Sequence, residues 1–214
     1  MVIIMTISII GQAQSKKKKS KQRAIYSIGI SGGYFMHGEI FKNSANDFAG
    51  LKFFQIDAQK LHKSKKSGFS LGYLSKKAEY IPFGSSVDES RFAFILNYNV
   101  MFNTMKNGNQ SGLYLGGFVG LIYDRGEQLS RGFFAFPVNT TYSSLWIGPK
   151  AEYLYQINPK LALSASAQLG LLEFGRQSIN RDDPILPASA QTKTETYFSF
   201  GKRINLNLGI NITL

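Results

Sequence analysis

The chain has 214 residues, room for one sizeable domain. Hydrophobic residues make up 43% and mean hydropathy is −0.12, with no window of about 18 consecutive apolar residues, so a membrane-spanning helix is excluded. The absence of cysteine excludes disulfides, zinc–thiolate sites and thiol catalysis. Net charge is +12, and Lys16, Lys17, Lys18, Lys19, Lys21 and Arg23 supply six of those charges ahead of the first expected strand.

In chain order, Met1–Ile10 is a short apolar run followed by the small-x-small triplet Gly11-Gln12-Ala13. Residues 1–14 read as a secretory signal peptide, though without the usual positive n-region. Residues 15–23 read as a basic periplasmic tail, solvated or against anionic head groups. No nucleic-acid motif accompanies the run, so nucleic acid is not an expected partner.

Residues 24–214 then show eight stretches in which apolar and small polar residues alternate, the period of a strand. The first, near Ala24–Met36, sets Tyr26, Ile28, Ile30, Tyr34 and Met36 against Ser27, Gly29, Ser31 and Gly33. The second, near Leu51–Leu61, sets Phe54, Ile56 and Ala58 against Gln55, Asp57 and Gln59. The third, near Gly68–Tyr80, points Phe69, Leu71 and Tyr73 one way. The fourth, near Ser90–Asn103, has aromatic and aliphatic even positions from Phe92 to Phe102 opposite Arg91, Asn97, Asn99 and Asn103. The fifth, near Gly112–Tyr123, alternates large with small on its second face (Tyr114, Gly116, Phe118, Gly120, Ile122), which suits a narrow barrel interior. The sixth, near Tyr142–Tyr155, opposes Leu145, Ile147, Ala151 and Tyr153 to Trp146, Gly148, Lys150 and Glu152. The seventh, near Leu161–Phe174, opposes Leu163, Ala165, Ala167, Leu169 and Leu171 to Ser164, Ser166, Gln168 and Gly170. In the eighth, near Tyr197–Leu214, every even position from Ile204 onward is aliphatic and every odd one is Asn, Gly or Thr.

Connections alternate long and short. Residues 62–66, 106–109 and 158–159 are turn-like, whereas 38–50, 81–89, 124–141 and 175–193 are longer. This is the asymmetry of an outer-membrane barrel, with both termini on the short-turn, periplasmic side. The expected fold is therefore all-β, an eight-stranded antiparallel up-and-down transmembrane β-barrel. A soluble lipocalin-like ligand-binding barrel is the alternative, but it would carry charge on its outer face. Here the polar face is mostly Ser, Gly, Asn, Gln and Thr. Aromatics fall near strand ends as girdles: Tyr26, Phe69, Phe102, Tyr153 and Tyr155 toward the turns, Tyr34, Phe53, Tyr73, Phe92 and Tyr123 toward the loops.

On this architecture, and on the closing strand Leu206, Leu208, Ile210, Ile212 and Leu214, residues 24–214 resemble the small outer-membrane β-barrel proteins of Gram-negative envelopes, the OmpX, OmpA-transmembrane and PorT-like group. Leu214 stands where that group usually ends in an aromatic. The resemblance implies outer-membrane lipid and lipopolysaccharide as surroundings and the barrel-assembly machinery as a biogenesis partner. It implies a shared fold and location, not one activity.

An eight-stranded barrel is just filled by side chains, so an open pore is not expected. Asp57, Lys150, Glu152 and Arg203 fall on the inward face, where charges need partners. They are expected to form an interior salt-bridge network. Phe133, Phe134 and Phe136 form an expected exposed loop patch. No cofactor, metal or catalytic residue is expected. The weaker alternative is a lipid A-modifying enzyme using His37 with Asp88, Glu89 and Ser90 at the outer rim. The role expected from sequence is structural or surface-interacting.

Overall fold

The computed structural model describes residues 24–37, 52–62, 64–80, 86–104, 111–131 and 136–214. Eight strands follow one another: β1 (Ile25–His37), β2 (Lys52–His62), β3 (Lys65–Tyr80), β4 (Ser86–Asn103), β5 (Gly112–Arg131), β6 (Val138–Asn158), β7 (Leu161–Arg181) and β8 (Thr192–Thr213). A single helical turn, α1 (Ala188–Gln191), precedes β8. Each strand pairs antiparallel with its neighbour, and β8 closes on β1 from Ser27–Thr213 to His37–Arg203. The result is an up-and-down closed barrel. Both ends of the barrel chain lie at the end where the turns are: Ile25 pairs with Leu61 near the β2–β3 turn, and the Leu214 N–H donates to the Tyr26 carbonyl. At the β6–β7 turn, Asn158 Oδ1 accepts the N–H groups of Lys160 and Leu161 at 2.9 Å each, around Pro159.

Alternation decides which side faces in. On β8, Leu206, Leu208 and Ile210 are 40%, 72% and 50% exposed, while Asn205, Asn207 and Asn211 are buried in the barrel. Tyr26, Ile30, Leu71, Leu96, Leu121, Leu145, Leu163 and their neighbours likewise stand on the outer wall. This apolar-out arrangement is the reverse of a lipocalin-like barrel. One aromatic position differs from expectation. Phe53 points inward with Gln55 and is buried, because the alternation that exposes Phe54 requires it.

The strands also run longer than the apolar pattern shows. A tilted strand crosses hydrocarbon in about 9–11 residues, yet β5 to β8 have 20 to 22. β5 and β6 stay paired to Gln128–Val138, and β7 and β8 to Asn180–Thr192. These ends, read as loops in the sequence, are polar ladders that continue beyond the apolar belt. β4 likewise begins at Ser86, so Asp88, Glu89 and Ser90 belong to the strand and not to a rim preceding it.

One irregularity re-aims side chains. Ile147 pairs with Leu172 but Lys150 with Gln168, so β7 holds one residue more than β6 between these rungs. In the same region β8 holds one more than β7, around Gly201, whose φ of +66° lies in the left-handed region. Before this bulge the even residues of β7, such as Gln168 and Gly170, face inward. After it Glu173 and Gly175 do, and Leu172 and Phe174 turn out. Leu171, expected on the outer face, falls at the bulge itself and is half-buried.

Gly120 is required by its surroundings: a Cβ there would lie 1.9 Å from Asn97 Oδ1 and 2.3 Å from Trp146 Nε1. Gly120→Val is expected to destabilise the barrel by about 1–3 kcal/mol through overpacking. Urea unfolding read by gel mobility with and without heating checks this.

Candidate functional site

The interior is layered, and β6 shows the order. From the loop end to the turn end its inward residues are Tyr142, Ser144, Trp146, Gly148, Lys150, Glu152 and Leu154. On β4 the sequence is Arg91, Ala93, Ile95, Asn97, Asn99 and Met101; on β5 it is Asp124, Ile122, Gly120, Phe118, Gly116 and Tyr114. Each of these three strands thus places charge or hydroxyl at the loop end, then apolar bulk, then polar or small groups, then apolar bulk again.

In the loop-side layer the Glu173 carboxylate is the hub. Arg203 binds it through Nε and Nη2, both at 2.6 Å, in the fork geometry that guanidinium favours. The Tyr142 hydroxyl donates to it, as do Tyr197 at 3.1 Å and Ser199 at 3.4 Å. Arg203 also lies over the Tyr142 ring at 5.0 Å, and Tyr142 stacks on Tyr197. Nearby, Arg91 Nε reaches both Asp124 oxygens at 2.8 Å.

Below lies an apolar plug of Phe53, Leu74, Ala93, Ile95, Phe118, Ile122 and Trp146. The Phe118 and Trp146 rings meet edge to face, with centroids 4.4 Å apart.

The next layer is polar. Asp57 accepts from Gln55 at 2.8 Å, from Ser70 and from Ser31 at 3.5 Å. Asn99 donates to Ser70 at 2.8 Å, Gln168 to Asn99 at 3.1 Å and Asn205 to Gln168 at 3.0 Å, so hydrogen bonds run around the barrel. Lys66 pairs with Glu152, and Lys150 Nζ lies 3.8 Å from Glu152 Oε2. Lys66 also lies over the Tyr114 ring at 5.4 Å. Met101, Tyr114, Leu154 and Ala162 close the turn-side end.

All four residues expected inside are buried there. The structure brings Lys150 and Glu152 together. Asp57 is held by neutral donors, and Arg203 sits in the separate upper layer across the plug. Sequence reasoning missed Lys66, Glu173, Tyr142, Asp124 and Arg91 as members. Of the expected loop patch, Phe136 is half-buried and Phe133 and Phe134 lie outside the described residues. His37 ends β1 opposite Arg203 in the backbone register. The signal peptide and basic tail also lie outside the described residues. Among the described residues no cluster of three or more His, Asp or Glu could hold a metal, and no helix is long and apolar enough to cross a membrane. Chemically, the arrangement balances four cations (Lys66, Arg91, Lys150, Arg203) with four anions (Asp57, Asp124, Glu152, Glu173) and fills the lumen with interlocked side chains.

No family model matches the sequence, and no curated protein matches it significantly. Among solved structures, the chain is similar to a major outer membrane protein from Thermus thermophilus. Identity is 10% over 90% of this chain and 100% of that one, with a TM-score of 0.57. Ail, the attachment invasion locus protein of Yersinia pestis, aligns at 12% identity over 89% of this chain and 97% of its own, with a TM-score of 0.46. The first likeness shows a shared fold, that of an outer-membrane β-barrel.

Proposed function

We propose that this chain is an integral outer-membrane β-barrel protein with a structural or surface-interaction role, no open pore and no catalytic activity of its own. The observation that carries the reading is the continuous apolar outer wall on a closed barrel whose polar groups point inward. Soluble monomers rarely expose so large an apolar surface, and lipid covers it here. The basic tail and the turns then face the periplasm, and the loop-side ladders project outward. Outer-membrane lipid and lipopolysaccharide surround the wall, and the barrel-assembly machinery inserts it.

The plug supports the absence of a pore, since apolar side chains interrupt the polar layers on several strands. The interior carboxylates are engaged by donors or cations, which supports a structural use of these groups. In planar bilayers the purified barrel is expected to give no stable conductance steps, and in envelope fractions to migrate heat-modifiably from the detergent-extracted outer membrane. Recovery as a soluble periplasmic monomer would overturn the membrane reading; steady ohmic channels would overturn the closed lumen.

A further inference from the structure

On the loop-side end of the outer wall, β5, β6 and β7 bring two arginines within two register positions of each other. Arg125 pairs in register with Thr141, and Arg176 pairs with Ser143 on one side and Thr196 on the other. All five residues are on the outer face and at least partly exposed. One strand separates the two arginines and they are offset by two residues in register, about 12 Å apart at ordinary strand geometry. Among the described residues neither arginine takes part in an ion pair, whereas Lys193 is paired with Glu195 and Arg91 with Asp124. Glu127 is on the same face, one outward position farther from the apolar belt than Arg125.

Directly beneath these cations runs an apolar groove of about 590 Å³, with Phe94, Leu121, Leu145 and Phe174 among its walls. Its loop-side lip is Ser143, Arg176 and Thr196. A second groove, of about 510 Å³ near Tyr34, Ala165 and Leu208, has no cation on its lining. Of the two, the first groove combines a hydrocarbon trough with an anion-binding lip.

We propose that this face is a binding site for a phosphorylated, multiply acylated glycolipid of the lipid A type. Its phosphates are held by Arg125 and Arg176, with Thr141, Ser143 and Thr196 hydroxyls donating, and its acyl chains lie in the groove below. Guanidinium forks match phosphate oxygens, and hydroxyls complete the set. Two cations about 12 Å apart on one face suit a headgroup with two phosphates. The groove extends from Leu71 on β3 to Thr196 on β8, about 24 Å by strand spacing, wide enough for several chains side by side. The site rests on the reading that the loop end faces the outer leaflet.

The test is native mass spectrometry of the full chain released from detergent micelles, titrated with bisphosphorylated lipid A, its dephosphorylated counterpart or phosphatidylglycerol. The wild-type barrel is expected to retain lipid A. The R125Q/R176Q variant is expected to bind it roughly tenfold or more weakly, and K193Q to bind as wild type. Equal retention by the double variant, equal retention of dephosphorylated lipid A, or retention of phosphatidylglycerol as tight as lipid A would each overturn the site. Heat-modifiable migration on the same samples separates the two readings. A barrel that inserts into bilayers yet retains no lipid A removes the site alone, and a chain that never inserts removes both.

Discussion

Replacing Glu173 with leucine is expected to lower the barrel's stability by about 3–5 kcal/mol, because Arg203 would be left charged, buried and unpaired. The Glu173 carboxylate accepts both arms of the Arg203 guanidinium and three hydroxyls from β6 and β8, so its loss also strands Tyr142, Tyr197 and Ser199. The double replacement E173L/R203M is expected to recover most of that loss, since apolar filling of a former ion pair is often neutral or better. Urea titration in lipid vesicles reads this as a lower midpoint for the single variant at unchanged slope. Equal losses in the single and double variants would show that packing, not charge compensation, dominates this layer.

Leu208→Arg is expected to cost about 2–4 kcal/mol in bilayers, the depth-dependent penalty for a cation on the lipid face near the midplane. Leu208 is 72% exposed and lies beside Gly32 and Ala165 on the outer wall. Thr194→Arg, on the polar ladder beyond the belt, is expected to change stability by less than about 0.5 kcal/mol. The contrast is measured by equilibrium unfolding in the same vesicles. Comparable effects at the two positions would remove the lipid boundary between them.

The period-2 alternation carries the barrel: the inward and outward assignments from Tyr26 to Tyr153 follow directly from it. It carries less where alternation and strand part company. Glu173 is invisible to strict counting, because a count from Leu161 puts it on the outer face and the bulge after Gln168 turns it in. Lys66 reads from sequence as part of a turn; its strand starts at Lys65, since His62 and Lys65 already pair across a tight turn. Phe53 reads as a girdle residue on composition, although its neighbours assign it to the interior. The β5–β8 extensions escape the sequence for a physical reason: alternating hydrophobicity marks where hydrocarbon begins and ends, whereas backbone pairing continues into water.

The interior network divides along the same line. Charges on an inward face can be found by parity, and Asp57, Lys150, Glu152 and Arg203 all lie there. Which partner each takes depends on shear, because strand tilt shifts neighbours around a barrel. That offset brings Lys66 of β3 to Glu152 of β6 and separates Arg203 from both Asp57 and Glu152. A signal was available for Glu173: Gly170 between aliphatic residues is a common bulge site, and a carboxylate among lipid-facing leucines would have been costly.

The most direct measurement is the set of proton contacts between side chains of β8 and lipid in an isotope-labelled barrel held in nanodiscs. Methyls of Leu206, Leu208 and Ile210 should show contacts to acyl-chain methylenes and none to water, while the Asn205 and Asn207 amides show none to lipid. Water contacts at those three methyls, with acyl contacts at the asparagines or at no residue of the strand, would contradict it.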